Sequence, residues 1–308
     1  MRYSRKASMV LLSIACLGLG PVSCRPKSPN DVAMVLKTLS NPFFVQMRHG
    51  AEAEAVLHPE LHLLVQATRT ETDTLEQNQI VDNLLARGIR VLCLTPDDSK
   101  GSISAVLSAN RDKIPVIVVD TKLDEPELHR QGGKIATFIA SDNKKGGELA
   151  GEVLAQALSQ KGKVALIEGA PGQETAVARS AGFLESIGRS PNIKVVARQT
   201  AYWEREKGYS VTQAILVANP DVVGIFACND EMALGAVRAV HDLKRDVVIV
   251  GFDYTPDGKA AIERGELYAS VAQSPEAMGK LAIQSAASLI AGKAVPPFQP
   301  VPVEVKRK

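Results

Sequence analysis

The stretch "DVVGIFACNDEMALGAVRAV" (221–240) contains the unit from which this chain is built. Its opening is a continuous apolar run, not an alternating one. Such a run suits a strand buried on both faces of a parallel sheet. Asn229 and Asp230 follow at the start of a helix, where Asn caps well and Asp230 and Glu231 suit the positive end of the helix dipole. One buried strand feeding one helix is the motif.

The motif recurs on both sides of this stretch. "DVAMVLK" (31–37), "LHLLVQA" (61–67), "IRVLCLTP" (89–96) and "KIPVIVVD" (113–120) read as buried strands rich in Val, Ile and Leu. Helix-sized segments lie between them. In "TLEQNQIVDNLLARG" (74–88) the apolar positions are Ile80, Val81, Leu84 and Leu85, and Gly88 is a C-cap. The beat restarts with "KVALIEGA" (163–170), "IKVVARQT" (193–200), the stretch above, and "DVVIVGFD" (246–253). Eight parallel strands in one sheet would be wide, so the expectation is an α/β fold of two lobes, each a Rossmann-like parallel sheet covered by helices. "KIATFIAS" (134–141), "ELYASVAQ" (266–273) and "FQPVPVEV" (298–305) fit neither beat and are assigned as three strands crossing between the lobes. The expected boundaries are 30–141 with 274–302 for one lobe and 142–273 with 303–308 for the other.

The first 23 residues read as an export signal. Arg2, Arg5 and Lys6 form a positive start, and residues 7–23 carry no charge. The apolar part ends at "GPVSC", where a cysteine after small residues resembles a bacterial lipoprotein cleavage site with Cys24 as the lipidated residue. Pro21 departs from that pattern, which usually has Leu there. From Cys24 onward the chain has 33 basic and 34 acidic residues, the 36 Lys and Arg less the three in the signal. That balance leaves no electrostatic footprint for nucleic acid. Cys93 and Cys228 sit in apolar runs as small buried residues, and no metal-type spacing of cysteines exists.

Ligands in open parallel α/β sheets bind beyond the carboxyl ends of the strands. Those ends carry Lys37, Asn41, Phe43 and Phe44, then Asp120 and Thr121. In the second half they carry Arg179, Trp203, Asn229, Phe252 and Asp253, and Gln273 ends a crossing strand. Asn41 also reads as a helix cap with Pro42 in the first turn. Two adjacent Phe point in different directions from a helix, so one of them is free to wall a site. Taken singly, Asp142, Asn229 and Asp230 are caps, a lone Phe is core and Arg179 is a solvated helix residue. Taken together, aromatic faces and planar polar groups match a sugar, which has C–H ring faces and hydroxyls at its edge.

"KTLSNPFFVQMRHGAEAEA", "VIVVD", "FIASDNKKGGELAG", "FACNDEMALGAVRAV" and "VVGFDYTPDG" together resemble the periplasmic sugar-binding proteins of ABC importers, and within them the ribose-binding branch. The resemblance covers residues 31–308. It implies two lobes joined by three crossing strands, with one sugar in the cleft and a membrane permease as partner. It implies no cofactor, no metal, no catalysis and a monomeric chain at the periplasmic or outer face of a bacterial membrane. By position it places Asn41, Phe43, Phe44 and Asp120 in one half of the site. Arg179, Trp203 (where the ribose binder has Phe), Asn229, Phe252 and Asp253 form the other, with Gln273 at a crossing. Asp120 and Arg179 then hold hydroxyls from opposite lobes. Lys37 stands where the ribose binder has Ser and Thr121 where it has Arg, so ribose itself does not follow. Another aldose, a polyol or a modified sugar is equally consistent.

A receptor on the same scaffold, serving a chemoreceptor or sensor kinase and binding for example a furanosyl autoinducer, is the main alternative. A sugar-responsive repressor would need an N-terminal helix-turn-helix. An enzyme finds no supporting motif: "GLGP" (18–21) follows no strand, "GAPGQE" (169–174) lacks the Lys-Ser/Thr of a phosphate loop, and Pro59 separates His58 from His62.

Overall fold

A computed structural model describes residues 30–308; the expected export signal, with Cys16 and Cys24, lies outside the described residues. The chain alternates strand and helix throughout. β1 (Asp31–Leu36), α1 (Pro42–Ala55), β2 (His62–Ala67), α2 (Thr74–Arg87), β3 (Val91–Leu94), α3 (Ile103–Arg111), β4 (Val116–Val119), α4 (Glu125–Arg130) and β5 (Thr137–Ser141) come first. Then follow α5 (Asn143–Ala157), β6 (Lys161–Glu168), α6 (Glu174–Gly188), β7 (Asn192–Thr200), α7 (Arg205–Ala218), β8 (Val222–Ala227), α8 (Asp230–Asp242), β9 (Val248–Asp253), α9 (Pro256–Arg264) and β10 (Ala269–Ala272). α10 (Pro275–Ile290), β11 (Phe298–Val301) and β12 (Glu304–Arg307) complete the chain.

The strands form two six-stranded sheets, ordered β11-β5-β4-β3-β1-β2 and β12-β10-β9-β8-β6-β7. Neighbours run parallel except β10 and β12, which are antiparallel. The expected two-lobed α/β fold is therefore present, with β1 and β6 each starting a sheet from its interior. β1 shows why both sheets need helices on both faces. Val32, Met34 and Leu36 join one core cluster with α1 and α10, while Ala33 and Val35 join another with α2 and α3. Both sets are wholly buried, as continuous apolar strands require.

Two expectations need correction. "LHLLVQA" was expected to be buried, but β2 is half exposed because it is the edge strand of its sheet. The three crossing segments do carry the chain from one lobe to the other, at Ser141 into α5, at Ala272 toward α10, and between β11 and β12. They are also full members of the sheets: β5 pairs with β4, β10 with β9, and the last segment splits into β11 in one sheet and β12 in the other. A crossing strand satisfies its own backbone groups in the sheet it leaves.

Helix packing sets the position of the second lobe's contribution to the cleft. α5 and α6 lie so close that a Cβ on Gly147 would collide with the carbonyl oxygen of Arg179. The missing side chain lets the α6 backbone, and with it Arg179, rest directly on α5. Among the described residues no helix is long and apolar enough to cross a membrane.

Candidate functional site

The carboxyl ends of the two sheets face each other across a narrow cleft. Its walls come from Lys37, Asn41, Phe43, Phe44, Glu71 and Asp120 of one lobe, and Thr175, Arg179, Trp203, Asn229 and Asp253 of the other. Nine of the twelve residues expected from the sequence therefore meet in one space. Thr121, Phe252 and Gln273 stand directly behind it.

In the first lobe, Asn41 caps α1 with its side-chain oxygen on the Phe43 N–H, 3.0 Å away. Pro42 fills the first helical position, where its missing N–H is harmless. This start delivers Phe43 and Phe44 to the cleft as an edge-to-face pair, ring centroids 5.1 Å apart. Both are buried, in the aromatic geometry that gains beyond area alone. The Lys37 ammonium lies 5.7 Å from the Phe44 ring centroid. Lys37 is 2% exposed, and a buried cation must be paired. It pairs with Asp120 at 3.4 Å and donates to Thr121 Oγ1 at 2.7 Å and Gln173 Oε1 at 3.0 Å. The two departures from the ribose pattern thus touch: the Lys37 ammonium bonds to the shortened side chain at 121.

In the second lobe, Arg179 is 4% exposed. Its guanidinium carbon stacks 3.8 Å from the Phe252 ring centroid and 5.5 Å from that of Trp203, a cation–π arrangement strengthened by desolvation. Nε donates to Asn143 Oδ1 at 2.8 Å, and Nη1 to the Cys228 carbonyl at 2.7 Å and Asp253 Oδ1 at 3.4 Å. Nη2 donates to no protein group among the described residues. Gln273 Nε2 holds the same Asp253 oxygen at 2.8 Å. Asn229 has two jobs: its oxygen caps α8 at the Met232 N–H, and its Nδ2 donates to the Trp203 carbonyl.

The electrostatics divide evenly. Each lobe holds its own ion pair, Lys37–Asp120 and Arg179–Asp253. A pairing within one lobe survives separation of the lobes, so opening the cleft separates neither pair. Burial pushes the Asp253 carboxyl up to about 7, against the lowering effect of Arg179. Burial also pushes Glu71 up to about 7, against Lys37 and a hydrogen bond from Asn41 Nδ2 at 2.7 Å.

Two further features occur at the cleft. Asp120, Trp203 and Asp253 all have positive φ, at 67°, 68° and 105°. Non-glycine residues are strained there, and such strain clusters at ligand sites. Two buried polar atoms also lack a partner, Thr175 Oγ1 in the cleft wall and Gln273 Oε1 behind it. Unpaired buried polar atoms cost about 1–3 kcal/mol each, a cost that a bound hydroxyl would remove.

Glu71, Thr175, Asn143 and Gln173 were missed in the sequence. Glu71 follows β2 and Gln173 follows β6, so the strand-end rule applied to every strand reaches both. Asn143 follows β5 in the same way, and Thr175 opens α6 two residues beyond Gln173.

Chain residues 32–294 match the family model described as periplasmic binding protein domain. The chain is 35% identical to a ribose import binding protein of Bacillus subtilis, over 94% of this chain and 95% of that one. It is 35% identical to a D-ribose/D-allose-binding protein of Pseudomonas aeruginosa, over 94% and 92%. A crystal structure of an ABC transporter periplasmic solute binding protein from Actinobacillus succinogenes, with bound D-allose, superposes with a TM-score of 0.86 at 36% identity, covering 91% of this chain and 98% of that one.

Proposed function

This chain belongs to the periplasmic binding protein domain family, and from that premise we propose how it holds its ligand. It is a monosaccharide-binding protein of the periplasm that delivers its ligand to an ABC importer. The sugar lies between the lobes, with Phe43 and Phe44 against one ring face and Trp203 against the other. Asp120 accepts from hydroxyls on one side, and Arg179 donates to hydroxyls on the other through Nη2. Asn41, Asn229, Asp253 and Gln273 complete the rim, and Lys37 with Thr121 forms the corner that sets which sugar fits. A hydroxyl both donates and accepts, so it can take one bond from each member of an ion pair.

The observation that carries this reading is the pair of facing ion pairs, one per lobe, within a cleft walled by aromatics. Neither half alone encloses a ligand; together they do. Binding therefore favours the closed form through its contacts with both lobes. The closed form is what the permease receives. Export by the N-terminal signal, with acylation at Cys24, would tether the chain near that permease. The family is a binding family and not an enzyme class. A receptor role on the same scaffold differs in its partner, and loss of sugar uptake on deletion of the gene separates the two.

The test is calorimetric titration of the chain from Arg25 onward with aldopentoses, aldohexoses and polyols. One sugar is expected to bind with a 1:1 stoichiometry. Asp120→Ala and Arg179→Ala should each weaken it by about 3 kcal/mol, roughly a hundredfold, because a buried partner is left unpaired. Near-normal affinity in both variants would contradict this placement.

A further inference from the structure

The start of α6 holds a side chain that the ligand contacts above leave unused. Gln173 occupies the N-cap position, yet its side chain makes no cap hydrogen bond. Ser, Thr, Asp or Asn usually serve there, because a short side chain reaches the N–H groups of the first turn. The Gln173 amide is spent elsewhere. Nε2 donates to the backbone carbonyls of Glu71 and Asp97, both at 2.8 Å. Oε1 accepts from Lys37 Nζ at 3.0 Å and from the Trp203 indole N–H at 2.9 Å. Both donors and both acceptor positions are filled, on a side chain that is 1% exposed. Three of these four bonds cross to the other lobe.

The main chain on either side follows the same path. The Gly172 carbonyl accepts from the Ser99 N–H at 3.0 Å, and the Glu174 N–H donates to Ser99 Oγ at 3.0 Å. The cap that Gln173 leaves empty is thus supplied by a hydroxyl from the other lobe. Gly172 has φ +87°, and a Cβ there would collide with the Asp98 carboxylate. The sheet order places this seam well away from the crossings. β3, which leads to Asp97–Ser99, and β6, which leads to Gly172–Glu174, are separated from β5, β11, β10 and β12 by at least one strand. Lobes that hinge at the crossings must break the seam to open.

We propose that Gln173 is a positioning residue that latches the closed cleft and locks the Lys37 ammonium and the Trp203 indole, one wall from each lobe, against the ligand. This rests on the cleft being the sugar site. The latch forms only in the closed state, so it adds to whatever the ligand contributes there. It raises affinity without touching the sugar.

The experiment compares wild type, Gln173→Ala, Gln173→Glu and Asp120→Ala. D-ribose and D-allose are the probes. Two readouts are taken. The first is emission from Trp203, the only tryptophan in the chain, during titration. The second is the distance between spin labels on Val56→Cys and Val217→Cys, positions 79% and 72% exposed and one in each lobe. Gln173→Ala should weaken every sugar that wild type binds by about ten- to a hundredfold, the loss of its three modest hydrogen bonds across the lobes. It should also move the ligand-free distance distribution toward larger separations. Gln173→Glu keeps an acceptor for Lys37 and Trp203 but loses the donors to the Glu71 and Asp97 carbonyls, so it should behave the same way. Wild-type affinities and distances in both Gln173 variants would overturn the latch. Normal binding in Asp120→Ala beside weakened Gln173→Ala would count against the placement of the sugar and leave the latch standing. If wild type binds neither probe, the distances decide alone: a shift in Gln173→Ala supports the latch, and an unchanged distribution overturns it.

Discussion

Glu71 is the carboxylate of the cleft that makes no ion pair among the described residues; Asn41 alone bonds its side chain. Burial holds its carboxyl near 7, above the ordinary 4.5. The folded chain therefore keeps a proton that the unfolded chain releases above about 4.5. The stabilisation this gives is complete below that pH and is lost as pH rises through about 7. Glu71→Gln removes the titration, so the melting temperature of wild type should fall relative to this variant between pH 5 and pH 8. An equal difference at both ends of that range would show that Glu71 is ionised throughout. Thr175 makes a second prediction of opposite character. Its hydroxyl is buried and unpartnered, so Thr175→Val should raise the stability of the empty protein slightly while weakening sugar binding up to about tenfold. Weaker stability with unchanged affinity would show that the hydroxyl serves the fold and not the ligand. At this level the sequence was informative wherever a residue type is rare. Two adjacent Phe and a single Trp all lie at the cleft, whereas Arg179 taken singly reads as a solvated helix residue. It was silent on pairing: that Lys37 bonds Thr121 and Gln173 depends on two loops more than 80 residues apart.

Elements deliver these residues through their ends and their spacing. α6 carries Arg179 on its inner face, and its height above the sheet is fixed by the bare backbone of Gly147 in α5. Gly147→Ala gains about 1 kcal/mol of helix propensity. It also forces a methyl group against a backbone carbonyl, which costs about 1–3 kcal/mol and cannot be relieved by a rotamer change. The net result should be a lower melting temperature together with weaker sugar binding, since Arg179 moves with α6. An unchanged melting temperature would mean that the two helices have room to part. The alternation of strands and helices was legible because buried parallel strands leave a continuous apolar imprint. Edge strands blur it. β2 and β7 are half exposed, and the segments holding β5, β10, β11 and β12 read as strands that fit neither beat. Their membership in the sheets is set by which strand lies next to them in space, and local pattern carries no record of that.

Across the whole molecule, function follows from where the charges are paired. Lys37–Asp120 lies within one lobe and Arg179–Asp253 within the other, so the lobes can part without stranding a buried charge. What does bridge them is a small set of hydrogen bonds around Gln173 and Ser99, one of them donated by the Lys37 ammonium. A closed state held by a few hydrogen bonds and completed by a ligand is a balance that one sugar can tip. The measurement that tests this is small-angle X-ray scattering from the chain, from Arg25 onward, with and without a saturating sugar identified by titration. The radius of gyration should fall on binding in wild type and stay at its ligand-free value in Arg179→Ala at the same sugar concentration. A sugar that binds tightly to wild type with no change in the radius of gyration would contradict capture by closure of the two lobes.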